Sequence, residues 1–126
     1  DWENTRALLE IDGLIVYPGS EIPLLDALEL WSPGCISATE NINFTAIGQE
    51  IELFDRGEKD AARALHATVA RFREVIQEYA PIPAQKRLLA ESTGDPRWNR
   101  VRPPLLAMSQ ENGRELATAL AAIRES

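Results

Sequence analysis

Several things are scarce in this chain of 126 residues, and each scarcity excludes a class of chemistry. There is one cysteine, Cys35, so an internal disulfide cannot form. That suits a reducing compartment, and a cytoplasmic location is expected. There is one histidine, His66, and the acidic residues are spread rather than clustered, so no metal site is expected. No Gly-rich phosphate loop occurs, and no cofactor is expected. Lysine is limited to Lys59 and Lys86. No apolar run approaches the roughly 18 residues of a membrane span, and no basic start followed by an apolar stretch is visible. The first residue is Asp1 and the one methionine is Met108. The expectation is therefore a chain that has been processed, cropped or cut from something longer.

What is present is apolar surface and negative charge. Hydrophobic residues make up 44%, enough for a core, and the net charge is −7. That charge repels a phosphate backbone, so no nucleic-acid partner is expected, and for want of an apolar span no membrane partner is expected either. The dispersal of Glu and Asp along helix faces reads as solvation.

The most informative stretch is GLIVYPGSEIPLLDALELWSPGCISAT, Gly13 to Thr39. Leu14 to Tyr17 is a continuous apolar run of the kind found in strands buried on both faces. Pro18-Gly19-Ser20 turns the chain. Ser20 is a candidate N-cap, Glu21 suits the first turn of a helix, and Pro23 is tolerated there. Leu24, Leu25, Leu28 and Trp31 follow at helical spacing, and Ser32-Pro33-Gly34 ends the helix. Cys35 to Ala38 is a second short strand. Two parallel strands joined by one helix cannot pair all their backbone groups alone, so the rest of a sheet is expected outside this chain.

Beyond Asn41 the pattern is helical. Trp2 to Glu10 is also a short helix. Phe44, Ile47, Ile51 and Phe54 mark one face, ending near Gly57. Leu65, Val69, Phe72, Ile76 and Tyr79 form the clearest stripe, broken by Pro81-Ile82-Pro83. A helix follows over about 84–92, and Ser109 caps a last helix that buries Leu116, Leu120 and Ile123. Neither low-complexity sequence nor tandem repeats occur. The fold class is α/β: the C-terminal portion of a (β/α)8 barrel, with two parallel strands and their helices, plus a C-terminal helical extension. The division is 1–56 for the barrel part and 57–126 for the extension.

Four stretches in order carry a resemblance. They are VYPGSE (Val16 to Glu21), GCISAT followed by ENI (Gly34 to Ile42), PIPAQK (Pro81 to Lys86) and VRPPLLAMS (Val101 to Ser109). Together they resemble the C-terminal half of the dihydrodipicolinate synthase / N-acetylneuraminate lyase family, the pyruvate-dependent class I aldolases. The resemblance implies an intact barrel with its site at the C-terminal strand ends, and a lysine that forms a Schiff base with pyruvate or another 2-keto acid. That lysine, with a tyrosine and a Thr-Thr pair, would belong to chain preceding Asp1. No catalytic residue is therefore expected in the segment, and by itself it should be inactive. It would supply a pocket wall: Gly19, where backbone approaches ligand, Ser20, Glu21 and Ile36. Many synthases carry Asp where this chain has Ser20. The family's habit of forming dimers or tetramers implies a homo-oligomer.

Each of these residues also has a plainer role: Gly19 as a turn glycine, Ser20 as a cap, Glu21 as a surface acid favoured by the helix dipole. Cys35 reads as a small hydrophobe rather than a nucleophile, since no histidine is near in sequence, and His66 as a helix-face residue. The rival readings for the whole chain are a mostly helical binding or assembly module completing a partner's sheet, and a non-functional truncation product.

Overall fold

The computed structural model describes residues 1–124. Among them are six α-helices: α1 (Trp2–Leu9), α2 (Leu24–Glu29), α3 (Glu40–Asp55), α4 (Lys59–Gln77), α5 (Pro81–Thr93) and α6 (Gln110–Arg124), with a short 3-10 turn at Pro96–Asn99. The chain forms two compact units, Asp1–Ala70 and Arg71–Ser126.

Among the described residues there is no β-strand, which corrects the expectation for 14–17 and 35–38. Both segments are irregular, and one backbone hydrogen bond joins them, from the Ile36 N–H to the Pro18 carbonyl at 3.0 Å. A ladder needs a series of such bonds, and a series needs neighbours. The run expected to be buried on both faces is open: Ile15 is 73% exposed, and Leu14 and Tyr17 are exposed as well. On the other segment Ile36 is 69% exposed. Among the described residues these apolar side chains are left substantially open.

The first unit packs around Leu24, Leu28, Ile47 and Val69, with Leu25, Cys35, Ile51, Phe54 and Leu65 against them. Helix α2 is shorter than expected, because the chain does not become helical until after Pro23. Ser20 is not its cap; the Ser20 hydroxyl accepts from the Ile22 N–H at 3.1 Å and closes a local turn. At the other end Trp31 is not on the apolar face. It takes φ 67° just past the helix and is 94% exposed. The Trp31 N–H bonds to the Leu28 carbonyl at 3.1 Å and the Ser32 N–H to the Ala27 carbonyl at 2.9 Å. That pair of bonds is the Schellman closure, in which a left-handed residue satisfies the last carbonyls. Helix α3 ends the same way, with Gly57 at φ 78° in the left-handed place. Phe44, expected on the buried face of α3, is exposed, because the helix kinks at Asn43.

In the second unit, Phe72, Ile76, Leu116, Leu120 and Ile123 are buried as their spacing implies. Tyr79 lies past the end of α4 and is only partly covered. The prolines at 81 and 83 begin α5 rather than precede it, since first-turn N–H groups have no helical partner to lose. The Ser109 hydroxyl accepts from the Asn112 N–H at 3.1 Å, as a cap of α6 does.

Candidate functional site

The turn after the first extended segment and the end of the second lie side by side in the first unit, held by three connections. Ser32 Oγ lies 2.8 Å from the carbonyl oxygens of both Val16 and Gly34, and donates there. Ile36 donates its N–H to Pro18. The third connection is made by side chains. Ser37 Oγ donates to Glu21 Oε2 at 2.5 Å, Thr39 Oγ1 donates to Glu21 Oε1, and the two hydroxyl oxygens are 2.9 Å apart. Side-chain bonds here do what ladder bonds do in a sheet.

The four expected wall residues are thus brought to one place, in different states. Gly19 is exposed; a Cβ built on it meets nothing within 4 Å, and its φ is outside the left-handed range. Neither backbone conformation nor packing inside this chain calls for glycine there. Ser20 is half-buried in its own turn. Ile36 points outward. Glu21 is 0% exposed, so it is no surface acid; its carboxyl faces Ser37 and Thr39.

Two further groups sit beside these. The Cys35 thiol donates to Glu40 Oε1 at 3.1 Å. Burial first, and then Glu40, push it far above the ordinary thiol range, with the charges of Glu21 and Glu50 adding to the effect. A thiol so held is not a nucleophile at neutral pH. His66 Nδ1 lies 2.7 Å from Oε1 of the fully buried Glu50. That hydrogen bond raises the histidine above its ordinary value against the opposing effect of burial. The Glu50 and Asp26 charges and a backbone hydrogen bond with Ile22 act in the same direction. His66 is therefore a link between α3 and α4 rather than a plain helix-face residue. Ser37, Thr39 and Glu50 were missed in the sequence because hydroxyls and a helix glutamate carry no periodic signal of burial. The one available cue was the two-residue spacing of Ser37 and Thr39 across the end of the expected strand Cys35 to Ala38, which in extended backbone puts them on one face.

Comparison with known proteins decides the relationship. The model of the dihydrodipicolinate synthetase family matches residues 3–123. The chain belongs to this family. It is 30% identical over 116 residues to the 4-hydroxy-tetrahydrodipicolinate synthase of a Synechococcus species, covering 90% of this chain and 37% of that protein. It is 29% identical over 110 residues to the enzyme of the same name from Psychrobacter arcticus, covering 86% and 36%. Among solved structures, the dihydrodipicolinate synthase from Agrobacterium tumefaciens is similar with a TM-score of 0.73 and 29% identity, over 98% of this chain and 40% of that one. A putative dihydrodipicolinate synthase family protein from Coccidioides immitis has the same fold, at TM-score 0.69 and 24% identity, over 88% and 37%. The chain thus spans little more than a third of the family members it matches. Among the described residues no helix is long and apolar enough to cross a membrane.

Proposed function

We propose that this chain is the closing part of a class I aldolase or lyase barrel that forms or cleaves a C–C bond to pyruvate through a lysine Schiff base. Residues 1–56 correspond to the last barrel strands and their helices, and residues 57–126 to the C-terminal helical extension. The segment supplies one wall of the pocket through Gly19, Ser20, Glu21 and Ile36. The Schiff-base lysine lies outside it. Pyruvate, or a 2-keto acid that releases it, is the substrate class. The intact protein works as a cytoplasmic homo-oligomer, and the segment alone is inactive.

The observation that carries this reading is the family match over residues 3–123. The open apolar faces of Leu14, Ile15, Tyr17 and Ile36 support it. Burying such side chains is worth about 1.5–3 kcal/mol each, a gain realised only when neighbouring strands and helices cover them. Gly19 supports it too. Among the described residues no atom lies within 4 Å of a Cβ built at Gly19, so there is room for a ligand to approach its backbone. Lys59 and Lys86 lie on α4 and α5, away from any strand end, so neither fits the Schiff-base role.

The chemistry follows from the iminium. It withdraws electrons from the pyruvate methyl, whose deprotonation gives an enamine that attacks an aldehyde carbon; cleavage runs the same steps backward. What this segment's residues do is bind and orient. Gly19 lets the backbone close on the ligand, and Ile36 offers an apolar surface to the pyruvyl group.

Borohydride trapping tests the proposal. The intact protein is incubated with pyruvate, reduced, digested and mapped by mass spectrometry. The expected result is a stable adduct on one lysine preceding Asp1, with Lys59 and Lys86 unmodified. Absence of any pyruvate-dependent adduct overturns the reading and favours a helical module that completes another chain's sheet.

A further inference from the structure

Ile22 stands next to the turn that carries Gly19 and Ser20, and its backbone is held on both sides. Its N–H donates to the Ser20 hydroxyl at 3.1 Å. Its other backbone group is hydrogen-bonded to the ring of His66. That bond raises the histidine, so the ring is the donor and the Ile22 carbonyl the acceptor. The Ile22 side chain is exposed, so these backbone bonds rather than apolar packing hold the residue.

The ring is itself anchored. Its Nδ1 lies 2.7 Å from Oε1 of Glu50, whose side chain on α3 is fully buried. Glu50 Oε2 is buried without a hydrogen-bond partner, so the hold on this carboxylate is through Oε1 and the ring. A continuous strap results: Glu50 on α3, His66 on α4, the Ile22 carbonyl, and from the Ile22 N–H the Ser20 hydroxyl. We propose that His66 is a positioning residue for the pocket wall: anchored on Glu50, its ring fixes Ile22, and through Ile22 the turn that carries Gly19 and Ser20. That this turn is a pocket wall rests on the function proposed above; the strap itself does not.

The strap has a proton requirement. Glu50 acts on the ring through charge, and a carboxylate, like a carbonyl, only accepts. Each ring nitrogen carries at most one proton, so holding both acceptors takes both N–H groups, which only the imidazolium has. The charges acting on the ring are Glu50 from α3 and Asp26 from α2, and both favour that form. Glu50 also acts on the Cys35 thiol of the second extended segment, together with Glu40 and Glu21. On α4 itself Lys59 is paired with Glu29 and Arg63 with Asp60. The histidine is raised in the folded chain, so the strap is complete below the ordinary histidine value and fades as pH rises through the raised one. A neutral ring keeps one N–H and releases one of its two acceptors.

Hydrogen exchange of the intact protein, read by mass spectrometry over peptides covering 19–24, tests the strap. Rates are divided by those of the unfolded peptides and compared with peptides covering α6. Between pH 6 and pH 9 the wild type should lose about tenfold in protection at 19–24 relative to α6. An unchanged ratio overturns the proposal, and this measurement needs no variant. For the wall, active sites are first counted by the pyruvate–borohydride adduct, so that only folded enzyme enters kcat/KM. His66→Gln, an uncharged side chain whose N–H donors share one nitrogen, should lose about tenfold in kcat/KM at pH 6 and less than about threefold at pH 9. A loss independent of pH, or no loss, overturns the positioning role. Failure of trapping in the wild type sinks the pocket-wall reading and leaves the exchange result to decide the strap alone.

Discussion

The two compact units bury different kinds of groups. In the second, the interior is made of Ile76, Ala84, Leu116, Leu120 and Ile123, with the amide of Gln85 among them. In the first, Leu24, Leu28 and Ile47 share the interior with Glu21, Ser32, Ser37, Thr39, Asn43 and Glu50. The difference follows from backbone bookkeeping. A helix satisfies its own N–H and C=O groups, so helices can pack chiefly through apolar stripes, with the Glu50–His66 link between α3 and α4 as an exception. The extended segments of the first unit have no ladder, and side-chain hydroxyls and carboxyls take up the work of holding them together. Apolar packing should then govern the stability of one unit, and hydrogen bonds and charge that of the other.

The largest effect should come from the apolar unit. Leu116 is completely buried on α6. Leu116→Ala is expected to cost about 2–5 kcal/mol, the transfer term plus the cavity left behind. Urea unfolding read by hydrogen exchange at α6 amides would measure it. A loss below about 1 kcal/mol would mean that this core collapses around the gap, and the contrast between units would fail.

Ser32→Ala probes the polar unit. The hydroxyl is the donor within reach of the Val16 and Gly34 carbonyls, both at 2.8 Å. Its loss is expected to cost about 1–3 kcal/mol and to speed exchange at the Ile36 amide, which spans the same two segments. If the Ile36 amide keeps its protection, the connections act independently.

Smaller, but with a signature of pH, is the His66–Glu50 pair. The histidine is raised above its ordinary value, chiefly by its hydrogen bond to Glu50. A group whose folded pKa is raised binds its proton more tightly when folded. Its contribution is therefore complete below the unfolded value near 6.5 and fades as pH rises through the folded value. Glu50 Oε2 has no hydrogen-bond partner and is buried, so the charged histidine is what offsets this carboxylate. His66→Gln should cost about 1–2 kcal/mol at pH 6 and less at pH 9. A penalty that grows with pH would reverse the assignment.

How much of this was legible beforehand differs between the units for the same physical reason. The α6 stripe Leu116, Leu120, Ile123 and its Ser109 cap follow from spacing and cap chemistry, and both are local. So is the stop at Gly57. The extended segments could be read as extended, but whether they become strands depends on neighbours that no local pattern supplies. Ile15 and Ile36 are apolar yet exposed. The grouping of Gly19, Ser20, Glu21 and Ile36 followed from a motif likeness. The burial of Glu21 did not, because its partners Ser37 and Thr39 lie 16 and 18 residues away and hydroxyls look the same in a loop as in a core. Trp31 misled, since helical spacing placed it on the apolar face while the chain had already turned out of the helix.

That tryptophan gives the smallest and most pointed comparison. Helices α2 and α3 end in the same two-bond closure, yet one places Gly57 and the other Trp31 in the left-handed position. A side chain with a Cβ pays about 1–2 kcal/mol there, and Trp31, 94% exposed, recovers none of it by packing. Glycine at 31 would relieve that strain and add about 0.5–1 kcal/mol of chain entropy to the unfolded state. The balance is a gain of roughly 0.5–1 kcal/mol for Trp31→Gly, while Gly57→Ala should lose a comparable amount for the mirror-image reason. Paired thermal melts of the two variants would show shifts of opposite sign. A Trp31→Gly variant that melts lower than wild type would mean that the indole makes contacts worth more than the strain it imposes, and the shared closure would then not be what sets the energy of these two helix ends.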